Sequence, residues 1–508
     1  MKGRKPGICA LLLLTALLSA CSRKEEAGEQ AVIRASLFCD VEFWGYPAWE
    51  ETEGTITGDI TRRTGVALDV MQPTQEADTQ LRLLLLNDEL PEIISVTDSV
   101  TISQLVNSGK MWKLDEFLET YKPDSHLLTD FPEDTRTELI RRDGAWYAYP
   151  SHMNSEDARK HWNVSPYQEE VVRYNDNNVI MWNLALLEQA GLQTDALGTW
   201  EEVLGALEKV KELQLQVGAE WVDEEGHYRD ILLQPQAKTA LRFLNIAMRE
   251  GYAEPGQLLL ETRQTQQLLC SGRVLCFIGN AENTKVNFAD WVSTGVILAP
   301  DGSRPVLGKN TRATTGWIST FISKSCKNPE AVASFLDYMT SGEGMALWNY
   351  GYEDTDYRVG EDGSFYKMDV SEERRKELGA WWMFYNTSWA RSVQALSDDI
   401  LQENEIVTAY GMHPQTVLYD SSLLNFPADL IQTGSAESRI ERGIASWKDS
   451  QIVKVVLADS EENFEREYET LIQGLYEKGI EQLDRRRDEG YQANCREYGN
   501  YIQKVNRE

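Results

Sequence analysis

The sequence predicts an α/β protein built on largely parallel sheets with helices packed on their faces. Short apolar runs bounded by glycine or proline alternate along most of the chain with segments that carry apolar residues at helical spacing. With 508 residues, 42% apolar and 26% charged, the chain has room for two large units plus accessory segments and is neither disordered nor collagen-like. One long unbroken apolar run stands out, at the extreme N-terminus, so a bundle of membrane-spanning helices is excluded.

That first run has the form of an export signal. Lys2, Arg4 and Lys5 precede the apolar stretch Ile8 to Leu18. It ends in Leu18-Ser19-Ala20-Cys21, which resembles the lipobox of bacterial lipoproteins, in which the cysteine is acylated and becomes the first residue of the mature chain. Residues 22–31, SRKEEAGEQA, are polar and lack any apolar period, so they read as a tether, with the folded body starting near Val32. These features predict a protein held by a lipid on the extracytoplasmic face of the cell membrane.

The strands follow from apolar runs. Pro91 to Val96, Val274 to Ile278, Val296 to Ala299 and Ile318 to Ile322 each read as a strand, the second framed by Gly272 and Gly279 and the third stopped by Pro300. Helices carry start signals. Thr199 and Glu202 form a capping box ahead of Val203, Leu204, Leu207 and Val210. Asn328-Pro329-Glu330 supplies an N-cap, an N1 proline and an early carboxylate before Ala331, Phe335, Leu336 and Met339. Phe464, Tyr468, Leu471, Leu475 and Leu483 form the apolar stripe of a packed C-terminal helix.

Charge and motif content narrow the function. The formal net charge of −31, from 81 acids against 50 bases, repels phosphate backbones, which argues against a nucleic-acid partner. The seven cysteines, at 9, 21, 39, 270, 276, 326 and 495, are too sparse for a disulfide scaffold. They form no CxxC pair, and the five histidines form no HExxH, so no metal site or cofactor is expected. Neither a GxSxG elbow, a Walker loop nor a Rossmann fingerprint is present, and no catalytic residue is assigned.

Aromatic residues are the positive signal. Fifteen Trp and 21 Tyr include several that fall where strands give way to loops: Trp44 after Asp40 and Glu42, Trp146 to Tyr149, Trp317 after Gly316, Trp348 with Tyr350, and Trp381-Trp382. A flat ring packs against the C–H face of a sugar, while carboxylates and amides nearby take its hydroxyls. Glycine or polar neighbours favour Trp44 and Trp317 as such platforms; within the Trp146 group at least one ring should be core.

Several segments, in order, resemble the bacterial extracellular solute-binding proteins of family 1, the maltose-binding-protein-like binding components of ABC transporters. Asp143-Gly144-Ala145-Trp146-Tyr147-Ala148-Tyr149-Pro150 is similar to the family's D-G-x-x-Y-x-x-P segment. Trp182-Asn183 through Ala190-Gly191-Leu192 and Thr199-Trp200-Glu201-Glu202 follow, then Ser271-Gly272 with Phe277-Ile278-Gly279. Lys327-Asn328-Pro329-Glu330-Ala331 and Phe335 to Gly344 match best, and Asn349-Tyr350-Gly351 resembles the longer oligosaccharide or aldouronate lipoprotein subgroup.

The resemblance implies a two-lobed periplasmic-binding-protein-like fold of type II with a hinge and a ligand cleft. After a signal peptide (1–20) and a tether (21–31), lobe one would comprise residues 32–145 plus 303–365 and lobe two 146–302 plus 366–508. The implied function is a monomeric lipoprotein, not an enzyme, that captures a carbohydrate and delivers it to ABC permease subunits. A lipid-anchored glycan hydrolase and a sensor or scaffold lipoprotein are the alternatives. Family contacts would fall on Asp40, Glu42 and Trp44 after the first strand, near Asp98, at Trp146 and Tyr149, and at Trp317, with Trp348 and Tyr350 further aromatic candidates. Many relatives carry a tryptophan shortly after the Phe-Ile-Gly strand; here Asn280 stands at that turn and is expected to offer amide hydrogen bonds instead.

Overall fold

A computed structural model describes residues 31–41, 46–73, 77–207, 221–223, 225–300, 302–310, 316–427, 429–432, 434–498 and 504–505. The expected leader, Cys21, Glu42, Trp44 and Val210 lie outside these described residues.

The body opens with β1 (Ile33–Cys39), one residue after its expected start. β1 pairs in parallel with β2 (Val66–Met71) and β3 (Ile93–Val96). Ala35, Leu37 and Cys39 enter one apolar core and Phe38 the other, the two-residue alternation of a strand covered on both faces. The sheet is completed by β4 (Ala148–Pro150) and, much later in the chain, β9 (Ser319–Ile322), in the order β2-β1-β3-β9-β4.

The α/β class holds, but the sheets are mixed rather than mainly parallel. β9 runs antiparallel to both β3 and β4. It enters the sheet from the end where β3 finishes, with Ser319 opposite Val96, so its direction is forced. A second sheet, β6-β5-β7, is antiparallel throughout and joins β5 (Asn178–Asn183), β6 (Cys276–Asn280) and β7 (Trp291–Ser293). Ile180 and Trp182 face one core of this unit, and Val179 and Met181 the other. A third sheet pairs β8 (Val306–Lys309) in parallel with β12 (Val417–Asp420), with β13 (Lys504–Val505) antiparallel at its edge. The small hairpin of β10 (Tyr357–Val359) and β11 (Phe365–Lys367) stands apart.

Local signals mostly came through. Glu202 Oε2 accepts from the Thr199 N–H and hydroxyl at 3.0 Å each, which completes the capping box. Asn328 precedes the helix Pro329–Thr340 as expected, yet its side chain makes no cap bond. Val296 to Ala299 is not a strand: Gly295 lies at φ +78 against the Ala409 carbonyl, and the segment makes a single bridge, Leu298 to Thr199. The C-terminal stripe is shared by two helices, Glu461–Glu477 and Ile480–Tyr498, separated at Gly479 (φ +95).

Pairing also shows which segments travel together. β4 belongs to the first sheet, and Trp381, Met383, Phe384, Trp389 and Ala390 return to its core, although both stretches were expected in the second lobe. β8 goes the other way and joins β12. No helix among the described residues is long and apolar enough to cross a membrane.

Candidate functional site

The carboxyl ends of β1, β3 and β4 and the amino end of β9 lie along one edge of the first sheet. This is the edge at which open α/β sheets place their ligands. Asp40, Thr97, Asp98, Ser151, His152 and Trp317 all gather there. Asp40 Oδ2 accepts from the Thr97 N–H at 2.7 Å and from its hydroxyl at 3.0 Å, while Oδ1 is buried with no partner among the described residues. Desolvation raises this carboxyl. Asp98 is exposed but committed: its Oδ2 caps the helix Ser99–Asn107 through the Thr101 N–H at 2.7 Å.

An aromatic wall stands beside these residues. The His152 ring stacks on Trp382 at 5.3 Å and an interplanar angle of 5°, with Trp317 at 5.5 Å edge-on and Tyr385 at 4.9 Å. The backbone holds it tightly. His152 donates its N–H to the Tyr385 carbonyl at 2.6 Å and occupies the left-handed region at φ +58. The Ile318 N–H donates to Ser151 Oγ at 3.0 Å, and that hydroxyl lies 2.7 Å from His152 Nδ1. Gly316 sits at φ +79, and a Cβ there would lie 2.2 Å from the Ser151 carbonyl oxygen, so only glycine lets Trp317 take this position. Burial pushes His152 down to about 4, so the imidazole is neutral at physiological pH.

Charged groups act on one member of this wall. Tyr385 lies within electrostatic reach of Arg391, Glu282 and Glu403. Arg391, on the helix Thr387–Val393, donates Nη1 to Gln168 Oε1 at 2.6 Å, while its Nε is buried without a partner among the described residues. Glu282 follows β6 and keeps a solvent-exposed edge in a recess deep enough for desolvation to raise it. Desolvation, helped by Glu282, lifts Glu403 to about 7. Lys309 at the end of β8 is pushed down to about 8 by desolvation and donates to Asn175 Oδ1 at 3.1 Å.

The residues expected from sequence divide into three groups. Trp317, 41% exposed, and Asp40 belong to the edge just described. Trp146 (1% exposed), Tyr149 (0%), Trp348 (0%) and Tyr350 (5%) are core residues with no open ring face, which corrects their expected role. Trp146 packs on Phe131 at 4.4 Å and under Arg136, and the Trp348 Nε1–H is spent on the Met339 carbonyl at 3.0 Å. Tyr149 lies beneath the wall and donates to the Phe384 carbonyl at 3.2 Å. Asn280 Oδ1 accepts from the Glu282 N–H at 3.0 Å, so the oxygen of its amide is used to shape the turn that carries Glu282.

Sequence reasoning missed His152, Tyr385, Arg391, Glu282 and Glu403. The Trp381-Trp382 doublet was the one available hint: Trp381 is fully buried and the next ring forms the wall. Two other recesses exist, about 260 Å³ around Trp200, Phe243 and Tyr410 and about 370 Å³ beside β2, and neither includes the stacked rings. Among the described residues no three His, Cys, Asp or Glu side chains are grouped to hold a metal ion, and the five cysteines are unpaired.

Mixed, non-barrel sheets with helices between them give the two-domain fold that solved solute-binding proteins share. The substrate-binding protein FusA of S. pneumoniae, an EF-hand mutant in complex with fructo-nystose, superposes with a TM-score of 0.69 at 13% identity over 91% of this chain and 100% of that one. The alginate-binding protein AlgQ2 without calcium ion gives 0.63 at 12% identity over 91% and 98%. The N-glycan transport protein NgtS of S. pneumoniae gives 0.58 at 15% identity over 91% and 99%. The model for bacterial extracellular solute-binding proteins matches residues 56–346, and the chain belongs to that family. No curated protein sequence matches it.

Proposed function

We propose that this solute-binding protein captures an oligosaccharide in the cleft between its two bodies and presents it to the permease of an ABC importer. The observation that carries the reading is the His152–Trp382 stack, flanked by Trp317 and by Tyr385, on which Arg391, Glu282 and Glu403 act. Rings take the apolar face of a pyranose; unpaired charged groups take its hydroxyls. Structures of the same fold include FusA with kestose and NgtS with Man5GlcNAc, which supports a sugar as the solute class.

In this reading the chain crosses between bodies near residues 162–165, between β8 and β9, and near 394–397. The helix Glu156–His161 packs with Thr387–Val393, whereas Pro166–Tyr174 packs with Asp398–Met412. The Arg391–Gln168–Gln394 bonds, 2.6 and 3.2 Å, would then tie the bodies at the hinge, and closure would be stabilised by contacts that the ligand makes with both. Cys21, acylated, would hold the protein at the outer face of the membrane. Capture here needs no bond-breaking step.

Titration calorimetry and small-angle scattering against a panel of plant, microbial and host oligosaccharides test this. The expected result is micromolar or tighter binding, about −8 kcal/mol, with compaction on binding. Neither heat nor compaction with any glycan would reject the carbohydrate assignment, and release of a shortened glycan would mark a hydrolase.

A further inference from the structure

We propose, resting on the reading of two bodies that close on a saccharide, that Arg141 ties those bodies together at a point remote from the ligand edge. The tie opposes closure, which makes Arg141 a positioning residue for the affinity of capture.

Arg141 and Glu138 share the outer face of the helix Glu133–Asp143, whose Leu139 is buried in the same core as β1. They form an ion pair at 2.9 Å within one turn. Such a pair on a helix surface is ordinarily solvated, yet these side chains are only 12% and 8% exposed. Groups that follow β12 cover them. Arg141 Nη2 donates to the Asn425 carbonyl at 2.8 Å and Nη1 to Asn494 Oδ1 at 3.3 Å, while Asn425 Nδ2 donates to Glu138 Oε2 at 3.3 Å. The guanidinium also lies 5.4 Å over the Tyr498 ring. Asn494 and Tyr498 sit on the helix Ile480–Tyr498, whose Leu483 shares a core with Leu241 of the helix Pro235–Arg249 and whose Tyr491 packs with Tyr419 of β12. The three hydrogen bonds therefore run from the first body to the second.

Chain geometry places this tie. The helix begins near the ligand edge. There the Asp134 N–H donates to Asp157 Oδ2 at 3.2 Å and the Asp157 N–H to Asp134 Oδ2 at 3.0 Å, fastening it to the helix Glu156–His161 beyond the ligand-edge end of β4. Arg141 lies about two turns and 10 Å further along the axis. From there the chain turns at Gly144, φ +80, and enters β4 at Ala148, the end of that strand opposite the ligand edge. A rotation about the crossing near residues 162–165 that brings the ligand edge toward the second body therefore carries the Arg141 end away from it. Closure would break the three bonds without stranding a charge, because Arg141 and Glu138 leave together as a solvated pair. Contacts made only before closure reduce the population competent to hold a ligand, and the apparent affinity falls by the same fraction.

The test uses two variants of the mature chain. Glu138→Gln/Arg141→Met removes the pair without leaving a buried charge, and Arg141→Lys keeps the charge beside Glu138 but cannot reach Asn425 and Asn494 together. Calorimetry with maltotriose, xylotriose, mannotriose and trigalacturonate should show the double variant binding the preferred sugar about 10-fold more tightly than the parent, and Arg141→Lys a few-fold more tightly. A structural role alone would lower affinity and thermal midpoint together. Equal or weaker binding by the double variant, or by Arg141→Lys where the double variant fails to fold, overturns the proposal and leaves the saccharide reading standing. If no sugar binds any of the three proteins, the saccharide reading fails and small-angle scattering of the sugar-free chains decides. A variant more compact than the parent then supports the tie, and an unchanged profile overturns it.

Discussion

Glu403 offers the sharpest test of the claim that its recess is desolvated. Its carboxyl ionises at 4.5 in an open chain and at about 7 in the folded protein, chiefly because burial penalises the charge, with Glu282 adding to the effect. A tenfold change in protonation is about 1.4 kcal/mol, so the ionised folded state carries a penalty of up to about 3 kcal/mol. The sign follows from linkage: the raised folded value means that stability is full below pH 4.5, declines between 4.5 and 7, and is lower by a constant amount above 7. Glu403→Gln removes the titration. The variant should unfold at the same denaturant concentration as the parent at pH 4 and be more stable by about 1–3 kcal/mol at pH 8, read from urea unfolding at pH 4, 6 and 8. A stability difference that does not change with pH, or one that favours the parent at pH 8, would refute the reasoning.

Three further outcomes follow from the geometry. Gly316→Ala forces a Cβ to within 2.2 Å of the Ser151 carbonyl oxygen at φ +79 and should cost about 2–4 kcal/mol in urea unfolding; a loss under about 1 kcal/mol would mean the turn relaxes easily. Trp317→Ala should leave the thermal midpoint nearly unchanged and weaken glycan binding about tenfold, whereas Trp348→Ala should destabilise the fold by about 3–5 kcal/mol. The reverse pattern would exchange the roles of cleft and core. Cys21→Ala should move the protein from the membrane to the soluble extracellular fraction, since each acyl methylene contributes about 0.8 kcal/mol to anchoring, and retention would contradict the lipid anchor.

What the sequence determined is what depends on neighbours along the chain. The Thr199–Glu202 box and the proline after Asn328 are fixed by contacts a few residues apart, and they survive in the structure. The ordered segments from Asp143 to Gly344 were enough to point to the family. Burial was not readable in this way. Trp146, Trp348 and Trp382 each sit in an aromatic cluster, yet only Trp382 stacks in the wall, because Phe131 and Arg136 cover the first and the Met339 turn encloses the second.

The site itself is a tertiary product. His152 follows β4, Glu282 follows β6, Tyr385 and Arg391 come from a segment that returns to the first core, and Glu403 lies on a helix of the second unit. No local spacing links these positions, so no periodicity could announce them. Their altered acidities also arise only when folding removes water from around groups that the chain keeps far apart. Sequence could set which segments become strands and helices; only the tertiary packing of distant segments decided which side chains gather at the proposed site.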